Sequence, residues 1–508
     1  MRLARLASVM IFFAAVPVLV NAELHVPGVF SDHAVMQRDH PLRVWGWGAV
    51  GEQVSVTLHD QTVKAIADET GEWDAWLPPE SAGGPYMLTI KGSQSSHDVV
   101  VKDIMLGDVW IASGQSNMEF PMAGFADTNA LLKDGDKEIA AADQPMIRFI
   151  VQHRNIGTVP GDDSPDTWSL CNPKSAVKLS AVAYFFARSI SEREHVTIGL
   201  IDSTWGGTPA SSWISQEGLV YANLTSTIAG AVQTSREQQH ADKIRTINAR
   251  IDADMKAQGK LLPMHPRIAG DHGGAWALSG LFNGMISPYT RYPIKGAIWY
   301  QGEQDAFQIA SRNYARVFRT LISDWRNHWG EGDFPFLFVQ LSSFNSGPDW
   351  SIVRDAQRRV LNLKNTAMAV TLDVGTANNV HPPDKQTVGS RLAQLALGSV
   401  YHESGSASPL EFEQATSEPT GMRVWFTGHD ELSSSKGKLD SFEVAGPDHI
   451  FKPAKAEIQQ VRGRATILAS AADVEHPCYV RYGWLPVVTS FLYNSSGMPL
   501  GTFTSEPE

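Results

Sequence analysis

The sequence has little cysteine, no excess of basic residues and a single long apolar run. Its two cysteines, Cys171 and Cys478, are too few for a disulfide framework or a cysteine-rich zinc site. They permit one disulfide bond at most, and the sequence leaves their pairing open. A formal net charge of -12 over 508 residues argues against nucleic-acid binding and favours a neutral or locally recognised ligand.

Short motifs for metal or phosphate binding are also missing. The sequence contains no His-Glu-x-x-His pair, no EF-hand loop and no P-loop. We therefore expect no metal in the catalytic chemistry of this protein.

The single long apolar run lies at the N-terminus. Two arginines precede the run Val9–Val20, and Val20-Asn21-Ala22 at its end has the small-x-Ala pattern of a cleavage site. This pattern predicts a secretory signal peptide cleaved after Ala22, because the apolar run is too short to span a membrane. We expect a periplasmic or secreted protein without membrane association after cleavage.

The pattern of apolar residues divides the rest of the chain into three parts. Residues 23–102 show short alternating runs separated by turn residues, which predicts a β-sandwich-like domain. Residues 103–402 alternate strands, near 108–112, 197–201, 294–300, 336–341 and 367–372, with segments of helical period. That alternation predicts an α/β domain with a parallel sheet covered on both faces. Residues 403–508 return to short strands and predict a second β-domain.

Residues able to carry chemistry follow four of these predicted strands. Ser116 follows the first strand, Gly206 and Gly207 the second, Gln301 the third and His381 the last. Each alone has a structural explanation, such as a helix cap, a tight turn or a solvated loop. Because ligands bind at the carboxyl ends of parallel strands, the set predicts a nucleophile, a general base and oxyanion donors at one edge.

Six motifs occur in a recognisable set along the chain. They are Gly114-Gln115-Ser116-Asn117-Met118, Gly206-Gly207-Thr208, Trp299-Tyr300-Gln301-Gly302-Glu303, His381-Pro382 with Lys385, Leu281-Phe282-Asn283-Gly284-Met285-Ile286 and Arg481-Tyr482-Gly483-Trp484. Together they resemble the sialate O-acetylesterases among the SGNH-type hydrolases. The resemblance implies a flavodoxin-like SGNH hydrolase domain flanked by N- and C-terminal β-domains, and hydrolysis of acetyl esters on sugars without a cofactor.

The resemblance also implies roles for individual residues. Ser116 is the expected nucleophile, which forms an acetyl-serine intermediate, and His381 is the expected base. The Ser116 N–H, a backbone N–H of Gly206 or Gly207 and the Gln301 side chain are the expected oxyanion donors.

One position departs from the family pattern. Many SGNH hydrolases have an aspartate three residues before the histidine, and here that residue is Asn378. Two alternatives follow: a Ser-His dyad oriented by a backbone carbonyl, or a third member supplied by Glu303, Asp373 or Asp384.

The substrate is less closely defined. Asp305 and Trp213 are expected near the substrate, although Trp213 also fits a role in the core. Sialic acid acetylated on its glycerol side chain is the expected substrate, with acetylated xylan or another acetylated glycan as the alternative. A non-catalytic carbohydrate-binding protein is a second alternative, and the sequence does not predict the oligomeric state.

Overall fold

The computed structural model describes residues 23–125, 130–224, 248–253, 255–257, 274–306, 308–346, 349–404, 409–427, 431–437 and 439–508. The predicted signal peptide, residues 1–22, lies outside these ranges. None of the helices in them is both long enough and apolar enough to cross a membrane.

Strands account for most of the named elements. In the first three quarters of the chain they are β1 Val35–Gln37, β2 Leu42–Trp47, β3 Gln53–Leu58, β4 Gln61–Ile66, β5 Glu72–Leu77, β6 Gly83–Gly92, β7 Val99–Gly114, β8 Gln144–Val151, β9 Ser169–Cys171, β10 Ile198–Thr204, β11 Gly296–Tyr300, β12 Phe336–Gln340 and β13 Thr366–Val370. In the last quarter they are β14 Phe412–Glu418, β15 Gly421–Phe426, β16 Ser433–Ser434, β17 Phe442–Ala445, β18 Lys452–Pro453, β19 Lys455–Val461, β20 Arg464–Ser470, β21 Tyr479–Tyr482, β22 Leu492–Tyr493 and β23 Phe503–Thr504.

Helices alternate with the strands of the middle part of the chain. They are α1 Ser116–Glu119, α2 Gly135–Ala140, α3 Ala181–Glu194, α4 Gln216–Tyr221, α5 Gln308–Trp329, α6 Asp349–Arg359 and α7 Lys385–Ser399. Helix α3 packs on α7, and α5 packs on α6. Helices α3, α5 and α7 lie within residues 103–402, where the sequence predicts segments of helical period.

A parallel sheet forms the centre of the α/β part. Its order is β13-β12-β11-β7-β10-β8-β9, and every neighbouring pair is parallel except β8 with β9. Strands β10, β11 and β12 are buried along their whole length. Burial of every residue is typical of strands covered on both faces. The predicted α/β class and parallel sheet are confirmed.

Strand β7 belongs to two parts of the molecule at once. Its first half pairs with β1 and β6 of the N-terminal β-region, and its second half pairs with β10 and β11 of the central sheet. The predicted domain boundary between residues 102 and 103 therefore lies inside one continuous strand.

The last part of the chain is built from β-strands. It forms two four-stranded antiparallel sheets, β14-β15-β20-β19 and β18-β17-β21-β23, and a two-stranded pair, β16-β22. Arg354 of α6 is fully buried and donates to the carbonyls of Gly483, Leu485 and Pro486, which ties this region to the α/β part. Cys171 is buried and Cys478 exposed, and both are free thiols.

Gly114 ends β7 in a conformation that only glycine adopts easily. Its φ is +133°, and a Cβ at this position would lie 2.2 Å from the Tyr300 carbonyl oxygen. The close approach lets the Gln115 N–H donate to that same carbonyl at 3.0 Å. The turn that carries Ser116 is thus joined to the end of β11.

Replacing Gly114 by alanine tests this constraint. We expect Gly114→Ala to lower the free energy of unfolding by about 3 kcal/mol or more, because strain and a backbone clash add. Gly463→Ala is the control, since Gly463 has φ +77° but open space around it; it should cost about 1–2 kcal/mol. Urea denaturation followed by tryptophan fluorescence measures both, and equal losses would contradict the steric argument.

Candidate active site

The turn after β7 places Ser116 at the first position of α1. The Gln115 side-chain oxygen accepts from the Gln304 N–H at 3.1 Å, so the segments after β7 and β11 hold each other. Ser116 is half-buried, while its neighbour Asn117 is buried. The nucleophile predicted from the sequence therefore stands at the carboxyl edge of the sheet.

The predicted serine and histidine meet at this edge. His381 Nε2 lies 2.8 Å from Ser116 Oγ, a hydrogen-bonding distance. The loop that carries His381 is fixed from within, because the His381 N–H donates to Asn379 Oδ1 at 2.9 Å. The ring of Phe125 packs edge-on against the imidazole at 5.3 Å between centroids.

The surroundings of His381 favour the neutral imidazole. Burial, and then the nearby Lys385 ammonium, lower the pKa of His381 to about 4. A neutral imidazole can accept a proton from Ser116, whereas an imidazolium cannot. At neutral pH His381 is therefore available as a general base.

Asn117 connects the histidine loop to the rest of the site. Its Nδ2 donates to the Val380 carbonyl at 2.9 Å and to Glu303 Oε1 at 2.5 Å. Its Oδ1 accepts from Lys385 Nζ at 2.5 Å. One buried amide, held by Glu303 and Lys385, thus binds the backbone next to His381.

Lys385 and Glu303 are both buried around this amide. The Lys385 ammonium also lies over the rings of Phe120 and Tyr300, at 4.8 and 5.4 Å from their centroids. Burial lowers the pKa of Lys385 to about 7 and raises the pKa of Glu303, which the hydrogen bond from Asn117 partly opposes. Burial therefore disfavours the charged forms of both side chains.

Two acidic candidates for the third member are bound elsewhere. Asp373 accepts from Arg391 Nη1 and Nη2 at 2.6 and 2.7 Å, and also from the Tyr493 hydroxyl. Asp384 caps α7 by accepting from the Thr387 N–H at 3.0 Å. Neither carboxylate is hydrogen-bonded to His381, so the sequence interpretation of both is corrected.

The other two candidates do not contact the imidazole either. Asn378 is exposed, and Glu303 is hydrogen-bonded to Asn117 instead of His381. Within the ranges that the structure describes, His381 Nδ1 has no hydrogen-bond partner. The geometry is therefore that of a Ser-His pair, with Glu303 acting on the histidine loop through Asn117.

Gly206 lies directly against Ser116. A Cβ on Gly206 would lie 2.8 Å from Glu119 Oε2 and 3.1 Å from Ser116 Cβ, so a larger residue would press on both side chains. The Gly206 N–H donates to Glu119 Oε2 at 2.7 Å, which puts a carboxylate oxygen on a predicted oxyanion donor. Gly207, at φ +73°, completes the turn.

The Gln301 side chain already forms hydrogen bonds with other residues of the protein. Its Nε2 donates to the Thr208 carbonyl at 3.1 Å and to Asp305 Oδ2 at 2.5 Å, and its Oε1 accepts from the Tyr314 hydroxyl. A role as oxyanion donor would need one of these bonds to break. Asp305 also accepts from the Ala210 N–H and is buried, so its expected place beside the substrate is corrected.

The expected role of Trp213 beside the substrate is wrong. The side chain is fully buried, donates to Thr208 Oγ1 at 3.0 Å and packs edge-on against Trp299. The half-buried tryptophan next to Gly206 is instead Trp205, whose ring lies 5.4 Å from the Arg154 guanidinium carbon.

Four functional residues have no role in the sequence predictions. Asn117 and Lys385 lie in the quoted motifs, but spacing alone does not show that they meet. Glu119 and Arg154 form an ion pair beside Gly206. Arg154 follows β8, a strand that the sequence pattern does not predict, and the end of that strand is the feature that places Arg154 at the site edge.

One group of side chains has the spacing of metal ligands. His59 and Asp60, at the turn between β3 and β4, and Glu80, between β5 and β6, offer ligand atoms within 4.8 Å of one another. The group belongs to the N-terminal β-region and contains none of the residues around Ser116.

The pH dependence of catalysis tests the state of His381. We expect kcat/KM to stay level from neutral pH downward and to fall only as the pH approaches about 4, where the imidazole becomes protonated. Initial rates over a pH series with a neutral acetyl ester measure this limb. An apparent pKa near the ordinary histidine value of about 6.5 would contradict the assigned environment.

Removing the Asn117 amide tests its role in holding the histidine loop. We expect Asn117→Ala to lower the free energy of unfolding by about 1–3 kcal/mol and to lower kcat at least about 10-fold. Asn494→Ala is the matched control, because Asn494 is buried and accepts backbone hydrogen bonds in the C-terminal region. We expect both variants to lose stability but only Asn117→Ala to lose kcat. An unchanged kcat in Asn117→Ala would contradict the positioning role.

The chain is similar to known carbohydrate esterases over most of its length. The family model described as "Carbohydrate esterase, sialic acid-specific acetylesterase" matches residues 106–247 and 274–398, more than half of the chain. The rat sialate O-acetylesterase is 28% identical over 512 residues, covering 91% of this chain and 90% of the rat protein. The human sialate O-acetylesterase is 27% identical, covering 87% of this chain and 83% of the human protein.

A solved structure extends the similarity to the whole fold. The crystal structure of a carbohydrate acetylesterase from Xanthomonas citri superposes with a TM-score of 0.79 at 29% identity, covering 96% of this chain and all of that one. The matched part includes the β-regions that precede and follow the α/β part of the chain. The family predicted from the motifs is thereby confirmed: the chain belongs to the sialic acid-specific acetylesterase family of carbohydrate esterases.

Proposed function

We propose that the protein hydrolyses O-acetyl esters of sialic acid, with Ser116 as the nucleophile and His381 as the general base. The observation that carries the proposal is the 2.8 Å contact between Ser116 Oγ and His381 Nε2 within a chain of this family. Sialate O-acetylesterases similar to it over most of their length support the choice of substrate.

The reaction proceeds in two halves. As Ser116 Oγ attacks the acetyl carbonyl carbon, its proton passes to His381 Nε2, and a tetrahedral oxyanion forms. The bond to the sugar oxygen then breaks, and His381 returns the proton to that oxygen. In the second half, His381 takes a proton from water, which attacks the acetyl-serine. Acetate leaves, and Ser116 regains its proton from His381.

The oxyanion is stabilised by backbone donors. The proposed donors are the Ser116 N–H and the Gly206 N–H, with Gly207 completing the turn. The closeness of Gly206 to Ser116 and the carboxylate oxygen that its N–H binds support the second of them. The acyl oxygen takes the position on Gly206 that a Glu119 carboxylate oxygen holds in the structure. Donors of this kind are worth about 10²- to 10³-fold in kcat each.

His381 works without a carboxylate partner in this mechanism. In serine proteases, an asparagine in place of the aspartate costs about 10⁴-fold because the imidazole adopts the wrong tautomer. Here the burial that keeps the imidazole neutral, together with the loop contacts through Asn379 and Asn117, supports a Ser-His dyad.

We infer a flavodoxin-like SGNH hydrolase domain between two β-domains. Numbered along the chain, the five strands β7, β10, β11, β12 and β13 lie in the order 2-1-3-4-5, which is the flavodoxin-like order. Strands β8 and β9 extend this sheet beyond β10. Ser116 follows β7 and Gln301 follows β11, so the site lies at the switch point between these strands, where such sheets bind ligands.

We also infer that the protein is exported. The arginines, apolar run and small-x-Ala pattern within residues 1–22 support a cleaved signal peptide and a periplasmic or secreted enzyme. Acetylated sugars and glycans outside the cytoplasm are then the substrates available to it.

Acetate release from two substrates tests the proposed function. We expect the wild-type protein to release acetate from sialic acid acetylated on its glycerol side chain, and to do so far faster than from acetylated xylan. Ser116→Ala should lose at least about 10³-fold in kcat, because the nucleophile is absent. Preference for xylan would overturn the substrate, and equal rates for the variant and the wild type would remove Ser116 from the mechanism.

A further inference from the structure

Arg154 lies at the edge of the sheet that carries the active site. Strand β8 ends at Val151 and is the parallel neighbour of β10, so the segment after β8 emerges beside the Gly206 turn. Parallel strands bring their carboxyl ends to one edge, where ligands bind. The order of the strands in the sheet therefore places Arg154 beside the site.

Two contacts hold the Arg154 guanidinium in place. Its Nη2 donates to Glu119 Oε1, and its central carbon lies 5.4 Å from the centroid of the Trp205 ring. Its side chain is nevertheless 52% exposed. Among the described residues, its Nη1 and Nε have no hydrogen-bond partner. The edge of the guanidinium that carries these two nitrogens is therefore open to a ligand.

A single carboxylate separates this cation from the oxyanion donor. Glu119 receives Arg154 on one oxygen and the Gly206 N–H on the other, and Gly206 touches Ser116. A ligand that places its acyl oxygen on Gly206 therefore has Arg154 within reach of its other end. The cation also offsets the repulsion that Glu119 exerts on an anionic ligand.

Among the residues that the structure describes, three other cationic side chains near the site are paired within the protein. Lys385 is buried against Asn117, Arg391 is paired with Asp373, and Lys133 with Asp384. Of these four cations, Arg154 is therefore the best placed to meet a substrate.

We propose that Arg154 binds the carboxylate of the sialic acid substrate and so makes the enzyme selective for acidic acetylated sugars. The inference rests on the proposed function. In sialic acid, the carboxylate and the glycerol chain are attached to the two carbons that flank the ring oxygen, so both can face one protein wall. With the acetyl group at Ser116, the carboxylate meets the open edge of Arg154, and Trp205 lies beside the sugar.

A comparison of two substrates isolates the charge of the carboxylate. One is sialic acid acetylated on its glycerol chain, and the other is the same compound with its carboxylate converted to a carboxamide. We expect the wild type to favour the acid by about 10- to 100-fold in kcat/KM, mainly through KM. In Arg154→Ala the ratio of the two kcat/KM values should fall to about one. Arg193→Ala should keep the wild-type ratio, because this equally exposed arginine pairs with Glu403 at the far end of α3.

The outcomes distinguish this inference from the proposed function. If Arg154→Ala lowers both rates by the same factor, Arg154 acts through Glu119 on the oxyanion donor, and the carboxylate role is overturned. If the wild type does not discriminate acid from amide, the inference is also wrong, although the esterase activity stands. If the wild type cleaves p-nitrophenyl acetate but neither sialic acid derivative, the proposed substrate fails, and the inference fails with it.

Discussion

The hydrogen bond between Ser116 and His381 is the interaction on which the rest of the site depends. The two residues are far apart in the chain, and two rigid features bring them together. Gly114 allows β7 to pass close to Tyr300 before Ser116, and Asn117 binds the Val380 carbonyl next to His381. The nucleophile and the base are thus held by neighbouring residues of one motif.

Burial sets the electrostatic character of this pair. The imidazole, Lys385 and Glu303 are all desolvated, and each pKa moves toward the value that favours the neutral form. A buried cation beside a general base lowers the basicity of that base, but it also keeps the imidazole unprotonated in mildly acidic surroundings. The absence of an aspartate at position 378 is consistent with such a base, because a carboxylate partner would raise the pKa of His381.

Much of the fold and the catalytic pair could be predicted from the sequence, because continuous apolar strands and helical stripes have distinct periods. The sequence does not predict strand β8, since its run Gln144–Val151 mixes polar and apolar residues, and it therefore does not indicate where Arg154 lies. The sequence also does not predict the contacts of Asp373, Asp384 and Trp213, for a related reason. Position along the chain shows that a side chain is near the sheet edge, but it does not show which groups that side chain contacts. The contacts with Arg391, Thr387 and Trp299 depend on tertiary packing.

The most direct test of the central claim is to locate the acetyl group during turnover. Rapid acid quenching of the enzyme with acetylated sialic acid, followed by peptide mass spectrometry, reads out every acetylated side chain. The account predicts a transient acetyl ester on Ser116 that accumulates before acetate release reaches its steady state or when deacetylation is slowed. An acetyl group on another residue, with Ser116 unmodified while acetate is produced, would contradict it.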